Sequence, residues 1–224
     1  MSNYRGFIVH NHKMVDRRNY LNSRLNAASN FSFIEIENLQ PNYIVEKYFG
    51  VNERSWNKKV KNLWNPAPTP RPLLFSEIAC TASHFYIYEQ YLKECEEDWL
   101  VVIEDDAIFE RNLPAEIAGL LAEVPDRVDA IFIGGGYHHD AVSLTLGEYK
   151  NFIIKHHPAT NTTVGYILRR RIVAAIMDGF TNFDMPIDFE LAYLLMINNA
   201  LVLHSCPYLI TEGSKSIYQS SIPR

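Results

Sequence analysis

The chain has 224 residues, 21 Lys+Arg against 26 Asp+Glu, and a formal net charge of −5. With 47% hydrophobic and 21% charged residues it has the composition of a folded globular domain, which excludes wholesale disorder. The acidic balance lacks the general basic excess of a nucleic-acid backbone binder, so no nucleic-acid partner is expected. Three widely spaced cysteines (Cys80, Cys95 and Cys206) form neither a disulfide framework nor a zinc cluster and suit a reducing compartment.

The first residues carry early charge and no long apolar core, so they read as neither secretory signal nor anchor. No run approaches the roughly 18 apolar residues of a membrane-spanning helix. A cytoplasmic location is expected, with at most transient contact with a membrane surface.

Gly6–His10 reads as a short buried strand, followed from about Asp16 by a helix with Tyr20, Leu21, Leu25 and Ala28 at helical spacing. Phe31–Ile36 alternates apolar and polar as a second strand. Residues 54–72 hold Arg54, Lys58, Lys59, Lys61 and Arg71, no acid, and four prolines, which excludes regular helix or central strand. This stretch is a loop, either a solvated connector or a lid whose basic residues dock an anionic acceptor or membrane. Ser76 to about Cys95 is a helix with an apolar stripe of Ile78, Ala82, Phe85, Tyr88 and Leu92, with Ser76 as N-cap. On the face opposite that stripe, Glu77, Cys80, Thr81 and His84 are placed to look into a ligand cleft.

Trp99–Ile103 is a continuous apolar run, as expected of a strand covered on both faces. Ala130–Ile133, Phe152–Ile154, Val164–Leu168 and Leu201–Leu203 are further strands. Leu113–Ala122, Arg170–Met177 and Ile187–Asn198 are helices. Strands alternating with helices predict one α/β sandwich over residues 1–224 on a mainly parallel sheet.

Glu104-Asp105-Asp106 directly follows the apolar strand Trp99–Ile103. Ligands of open α/β sheets bind at the carboxyl ends of strands. Three contiguous acids there repel one another, and a hard divalent cation with oxygen ligands, Mg²⁺ or Mn²⁺, relieves that repulsion. Such ions usually arrive with phosphate, and a metal-held diphosphate is what a transferase with a nucleotide-activated donor needs. The bland alternative is an acidic surface turn. No phosphate-cradling Gly-rich loop with Lys-Ser/Thr and no dinucleotide fingerprint is present, which argues against kinase and dehydrogenase chemistry.

These residues resemble glycosyltransferase family 25, which includes lipooligosaccharide β-galactosyltransferases and collagen galactosyltransferases. The match runs through Asp16-Arg17-Arg18, then Ser76-Glu77-Ile78-Ala79-Cys80-Thr81-Ala82-Ser83-His84, then Glu104-Asp105-Asp106. It continues through Gly165–Arg170, Pro186-Ile187-Asp188 and Gln219–Ile222. The resemblance implies a GT-A-type nucleotide-binding α/β/α sandwich and an inverting transfer of galactose or glucose from a UDP-sugar to a hydroxyl of a glycan or glycoconjugate. It implies Mn²⁺ or Mg²⁺ at Asp106 and Glu104. Asp16, Arg17, Arg18, Glu77, Ser83, His84, Glu104, Asp105 and Lys215 would contact the donor nucleotide. Asp188 would be the base, with Glu190 as second choice. A metal-dependent phosphodiesterase and a catalytically inactive carbohydrate-binding relative are the competing functions.

Overall fold

The computed structural model describes residues 3–25, 30–35, 59, 71–110, 112–135, 143–145, 152–155, 162–215 and 217–218. In chain order the elements are β1 (Tyr4–His10), α1 (Val15–Leu25), β2 (Phe31–Glu35), α2 (Phe75–Glu94) and β3 (Trp99–Glu104). Then come β4 (Ala107–Ile108), α3 (Leu113–Glu123), β5 (Ala130–Phe132), β6 (Ser143–Thr145), β7 (Phe152–Lys155) and β8 (Gly165–Arg169). α4 (Arg170–Asp178), α5 (Ile187–Ile197), β9 (Val202–Ser205), β10 (Thr211–Glu212) and a 3₁₀ turn (Gly213–Lys215) complete the set.

Eight strands form one sheet in the order β2-β1-β3-β8-β5-β9-β7-β6. β1 pairs in parallel with β2 and β3, and β5 with β9. β8 runs against both β3 and β5, and β7 against both β9 and β6. Following those directions across the sheet, all strands but β7 and β8 point the same way, so the sheet is mainly parallel, as the alternating pattern predicts. Alternate residues of β3 feed opposite layers. Leu100 and Val102 join the layer of α2, α4 and α5. Trp99, Val101 and Ile103 join that of α1 and α3. A strand covered on both faces must be apolar at every position, which explains its uninterrupted run.

α2 begins one residue earlier than expected. Its N-cap is Leu74, not Ser76, and the carboxylate of Glu77 accepts the Leu74 backbone N–H at 2.8 Å. An acid at the third helical position thus caps the start by reaching back to the N-cap N–H, in place of the serine cap that was expected. The face opposite the apolar stripe is not open to a cleft along its length. Glu77, Thr81 and His84 are buried too. α2 packs against β1, α4 and α5, and its polar face meets the sheet, where His84 lies against Tyr166 of β8 and Glu104 of β3.

Phe85 is fully buried and stacks on Phe180 at 4.0 Å and Phe183 at 5.7 Å between ring centroids, locking α2 to the segment that leads into α5. The short β4–β10 ribbon carried no pattern long enough to read from sequence. Among the described residues no helix is long and apolar enough to cross a membrane. Phe85→Ala is expected to cost about 3–5 kcal/mol, read as a lower urea midpoint at unchanged slope.

Candidate functional site

β1 and β3 run in parallel side by side and end at His10 and Glu104. The antiparallel β8 starts at the same edge, so the backbone N–H of Glu104 meets the Val164 carbonyl at 3.1 Å. The acidic turn therefore sits at the carboxyl edge of the parallel strands, where the ligand-site rule places it. Its three acids have three different fates.

Asp105 is buried and fully engaged. Its carboxylate accepts from Arg17 Nη1 at 2.6 Å and from the backbone N–H of Asn11 at 2.9 Å, and lies 3.1 Å from His10 Nδ1. Burial pushes its pKa up, but the bonds from His10, Asn11 and Arg17 prevail and hold it below the ordinary carboxylate value. Arg17 is itself buried, with its guanidinium 5.3 Å from the Tyr218 ring centroid. Both residues were expected at the donor nucleotide; the structure gives them to each other. Arg18 pairs with Glu35 and lies over the Phe33 ring at 4.9 Å. Asp16 is exposed in the first turn of α1.

Asp106 is buried with less compensation. Its Oδ2 accepts the Ser214 N–H at 3.2 Å, and its Oδ1 has no hydrogen-bond partner among the described residues. Burial, and then the neighbouring Glu104 charge, push its pKa up to about 6. Its backbone carbonyl accepts the Gly213 N–H at 2.8 Å. A Cβ on Gly213 would come within 2.6 Å of that same oxygen, so only glycine allows the 210–215 segment to lie this close. The chain just before Lys215 thus does lie against the acidic turn. Gly134 and Gly135 likewise permit close approach, by Val164 and Tyr208, and so serve packing.

Glu104 is half-buried, accepts the Thr163 hydroxyl through Oε1, and lies 3.7 Å from His84 Nε2. His84 is fully buried, with Nδ1 2.6 Å from the Tyr166 hydroxyl, which in turn lies 2.7 Å from that of Tyr88. Ser83, one residue earlier, donates to the Ala79 carbonyl at 2.7 Å, a bond internal to α2 rather than one to a donor.

Asp188 sits in the first turn of α5, two residues after Pro186, the N-cap. Burial pushes its pKa up to about 6, and the charges of Glu104 and Glu77 add to the rise. Asp188 therefore shares an electrostatic environment with the acidic turn and the start of α2. Glu77 itself is held below its usual range: burial is outweighed by two bonds from Arg71 and one from the Leu74 N–H.

Glu190 has a different role from the one expected of a base. Lys59 Nζ lies 2.8 and 3.1 Å from its two oxygens and 2.9 Å from Asp184 Oδ1, and all three residues are buried. Burial nonetheless pushes Glu190 up to about 7. Lys59 was expected among solvated loop lysines that dock an acceptor. It is instead an internal counter-ion, and a basic run without apolar periodicity carries no signal of that. The rest of the 54–72 loop short of Arg71, apart from Lys59, together with Ala28 and Ile36, lies outside the described residues. Thr163, Tyr166 and Ser214, in contact with Glu104, His84 and Asp106, were missed because single polar residues at strand and turn ends carry no pattern, and Arg71, expected among the loop's basic residues, pairs with Glu77 instead.

A model of glycosyltransferase family 25, described as LPS biosynthesis proteins, matches residues 5–191. The chain belongs to glycosyltransferase family 25. No curated protein sequence matches it. Similar solved structures include mouse xyloside xylosyltransferase 1 in its apo form, at 10% identity over 89% of this chain and 71% of that one, TM-score 0.39. Another is 4-diphosphocytidyl-2C-methyl-D-erythritol synthase from Anaerococcus prevotii, at 11% identity over 90% of this chain and 88% of that one, TM-score 0.39. Backbone likeness at this level identifies no activity. Family 25 membership does, and it makes the chain a glycosyltransferase.

Arg17→Met should strand the Asp105 carboxylate and cost about 3–5 kcal/mol, whereas Arg18→Met at the half-exposed pair should cost under about 1 kcal/mol. Urea unfolding of the two variants checks the difference.

Proposed function

We propose that this family 25 enzyme is an inverting hexosyltransferase of GT-A type that moves galactose or glucose from a UDP-sugar to a hydroxyl of a glycan or glycoconjugate, with Mn²⁺ or Mg²⁺ at the acidic turn. The observation that carries the reading is the buried Asp106, whose Oδ1 lacks a partner beside Glu104. A buried carboxylate whose proton affinity is raised by the charge of its neighbour is a poor structural element, and the two together are a good hard-cation donor set. Asp106 and Glu104 would hold the ion. When bound, it supplies positive charge to the departing diphosphate.

The remaining work falls to side chains of this chain. Asp188 accepts the proton of the acceptor hydroxyl as the new bond forms at the anomeric carbon and the bond to the UDP oxygen breaks. Its raised pKa makes it a stronger base than an exposed aspartate while leaving it ionised at neutral pH. Glu190, held by Lys59 and Asp184, keeps the first turns of α5 in place beneath Asp188. Asp16, Arg17, Arg18, Glu77, Ser83, His84, Asp105 and Lys215 stand as the wider candidate donor site. Of these, Asp105 and Arg17 act by fixing the acidic turn. The cytosol is the compartment in which a nucleotide-sugar donor and reduced cysteines meet, with the membrane visited only transiently to reach a lipid-linked acceptor.

Calorimetric titration of UDP with and without Mn²⁺ tests the metal. Wild type should bind UDP in a Mn²⁺-dependent manner, and Asp106→Ala should lose that dependence; equal binding with and without the ion would refute the assignment. For the base, log kcat/KM should climb with unit slope as pH rises and level off above about 6, where Asp188 is ionised. Asp188→Asn should lower kcat by about 10²–10⁴-fold with UDP affinity unchanged, and should lack that acidic limb.

A further inference from the structure

Behind the oxygen site lies a second donor set of different chemistry. The thiol of Cys80, the imidazole of His84 and the carboxylate of Glu104 place one ligand atom each within 4.8 Å of one another. Cys80 and His84 are four apart on α2, so both project from one face in successive turns, and β3 delivers Glu104 to the same point. We propose that these three residues form a site for a borderline-soft divalent ion of the Zn²⁺ class, separate from the oxygen site at Asp106 and meeting it at Glu104.

The imidazole is the independent pointer. His84 is fully buried, and its Nε2 has no hydrogen-bond partner although it lies 3.7 Å from Glu104 Oε1. That separation is too long for a hydrogen bond. It is within the spacing of two ligands on one tetrahedral ion, roughly 3.3–3.8 Å for bonds of about 2.0–2.3 Å. The other ring nitrogen faces the Tyr166 hydroxyl at 2.6 Å, backed by Tyr88 at 2.7 Å. With Nδ1–H donated to Tyr166, Nε2 keeps its lone pair for an ion shared with Cys80 and Glu104. This is the arrangement by which a second partner fixes a ligating histidine's tautomer and orientation. The Thr163 hydroxyl does the same for the carboxylate, donating to Oε1, the oxygen that faces His84.

The donor set selects the ion. Mn²⁺ and Mg²⁺ prefer all-oxygen ligands, whereas one sulfur, one nitrogen and one oxygen suit Zn²⁺. Three protein ligands leave a fourth position open. Binding would replace the S–H bond of Cys80 by a metal–sulfur bond and release that proton to solvent.

Co²⁺ is the probe, because a thiolate ligand gives it a near-ultraviolet charge-transfer band and tetrahedral geometry gives intense visible bands. Wild-type protein stripped with chelator and titrated with Co²⁺ should develop both at one equivalent, and Zn²⁺ should displace them. Asp106→Asn should keep the bands; Cys80→Ser should lose the charge-transfer band, and His84→Gln should weaken Co²⁺ binding by at least about tenfold. As a control on the variants' folding, Zn²⁺ should slow labelling of one thiol in wild type and of none in Cys80→Ser. Absence of the charge-transfer band in wild type, or its survival in Cys80→Ser, overturns the site. Mn²⁺-dependent UDP binding measured on the same proteins separates this outcome from that of the oxygen site.

Discussion

The buried carboxylate of Asp105 is the contact on which the acidic turn depends. Three adjacent acids cannot all face one cleft without severe repulsion, and this turn does not try to make them. The middle one is drawn back under β1 and α1, where Arg17, His10 and the Asn11 N–H satisfy it. A charge so compensated is stable only in one place, so it acts as a pin. With Asp105 pinned, the backbone on either side has little freedom. Glu104 is left at the end of β3 beside Thr163 and His84, and Asp106 is left against the Gly213–Ser214 backbone.

The consequence is a division of labour by solvation. Cations and N–H donors gather where charge is to be stabilised permanently, Arg17 on Asp105 and Arg71 on Glu77, whereas Lys59 bridges Glu190 and Asp184 without offsetting the burial that raises Glu190. Asp106 and Asp188 have no such full compensation, and both are pushed up to about 6. For both, burial contributes most, and the Glu104 charge adds to it. An uncompensated buried acid destabilises the folded protein as pH rises past its solution value, so the fold itself gains nothing from these two. Their persistence in a site that a transferase would use for charge and proton handling is consistent with strain kept for function.

The α/β alternation, the doubly covered β3 and the position of the acidic turn were legible in the sequence because each rests on a run of residues. Val101 and Val102 face opposite layers, and only an apolar residue satisfies both. The N-cap of α2 was misread for a local reason: Ser76 is the preferred capping type, yet the Glu77 carboxylate, bonded by Arg71 as well, reaches back to the Leu74 N–H and sets the N-cap two residues before the serine. The polar face of α2 was misread for a tertiary one. A face carrying Glu77, Thr81 and His84 reads as cleft-facing by composition, but it is buried, and His84 turns to Tyr166 of β8 and Glu104 of β3.

Burying that polar face also explains why the tyrosines are there. Tyr88 and Tyr166 lie at full burial, where two phenol hydroxyls would be costly alone. Joined to each other and to His84, they form a chain that satisfies itself at every link but the last. The open end is His84 Nε2, and it falls beside Glu104 rather than in the apolar core. A polar chain whose single unsatisfied atom is delivered to the acidic turn ties the packing of α2 on β8 to the geometry of the site. Substitutions at Tyr88 would therefore reach Glu104 through two hydrogen bonds and one imidazole, without any change in the turn itself.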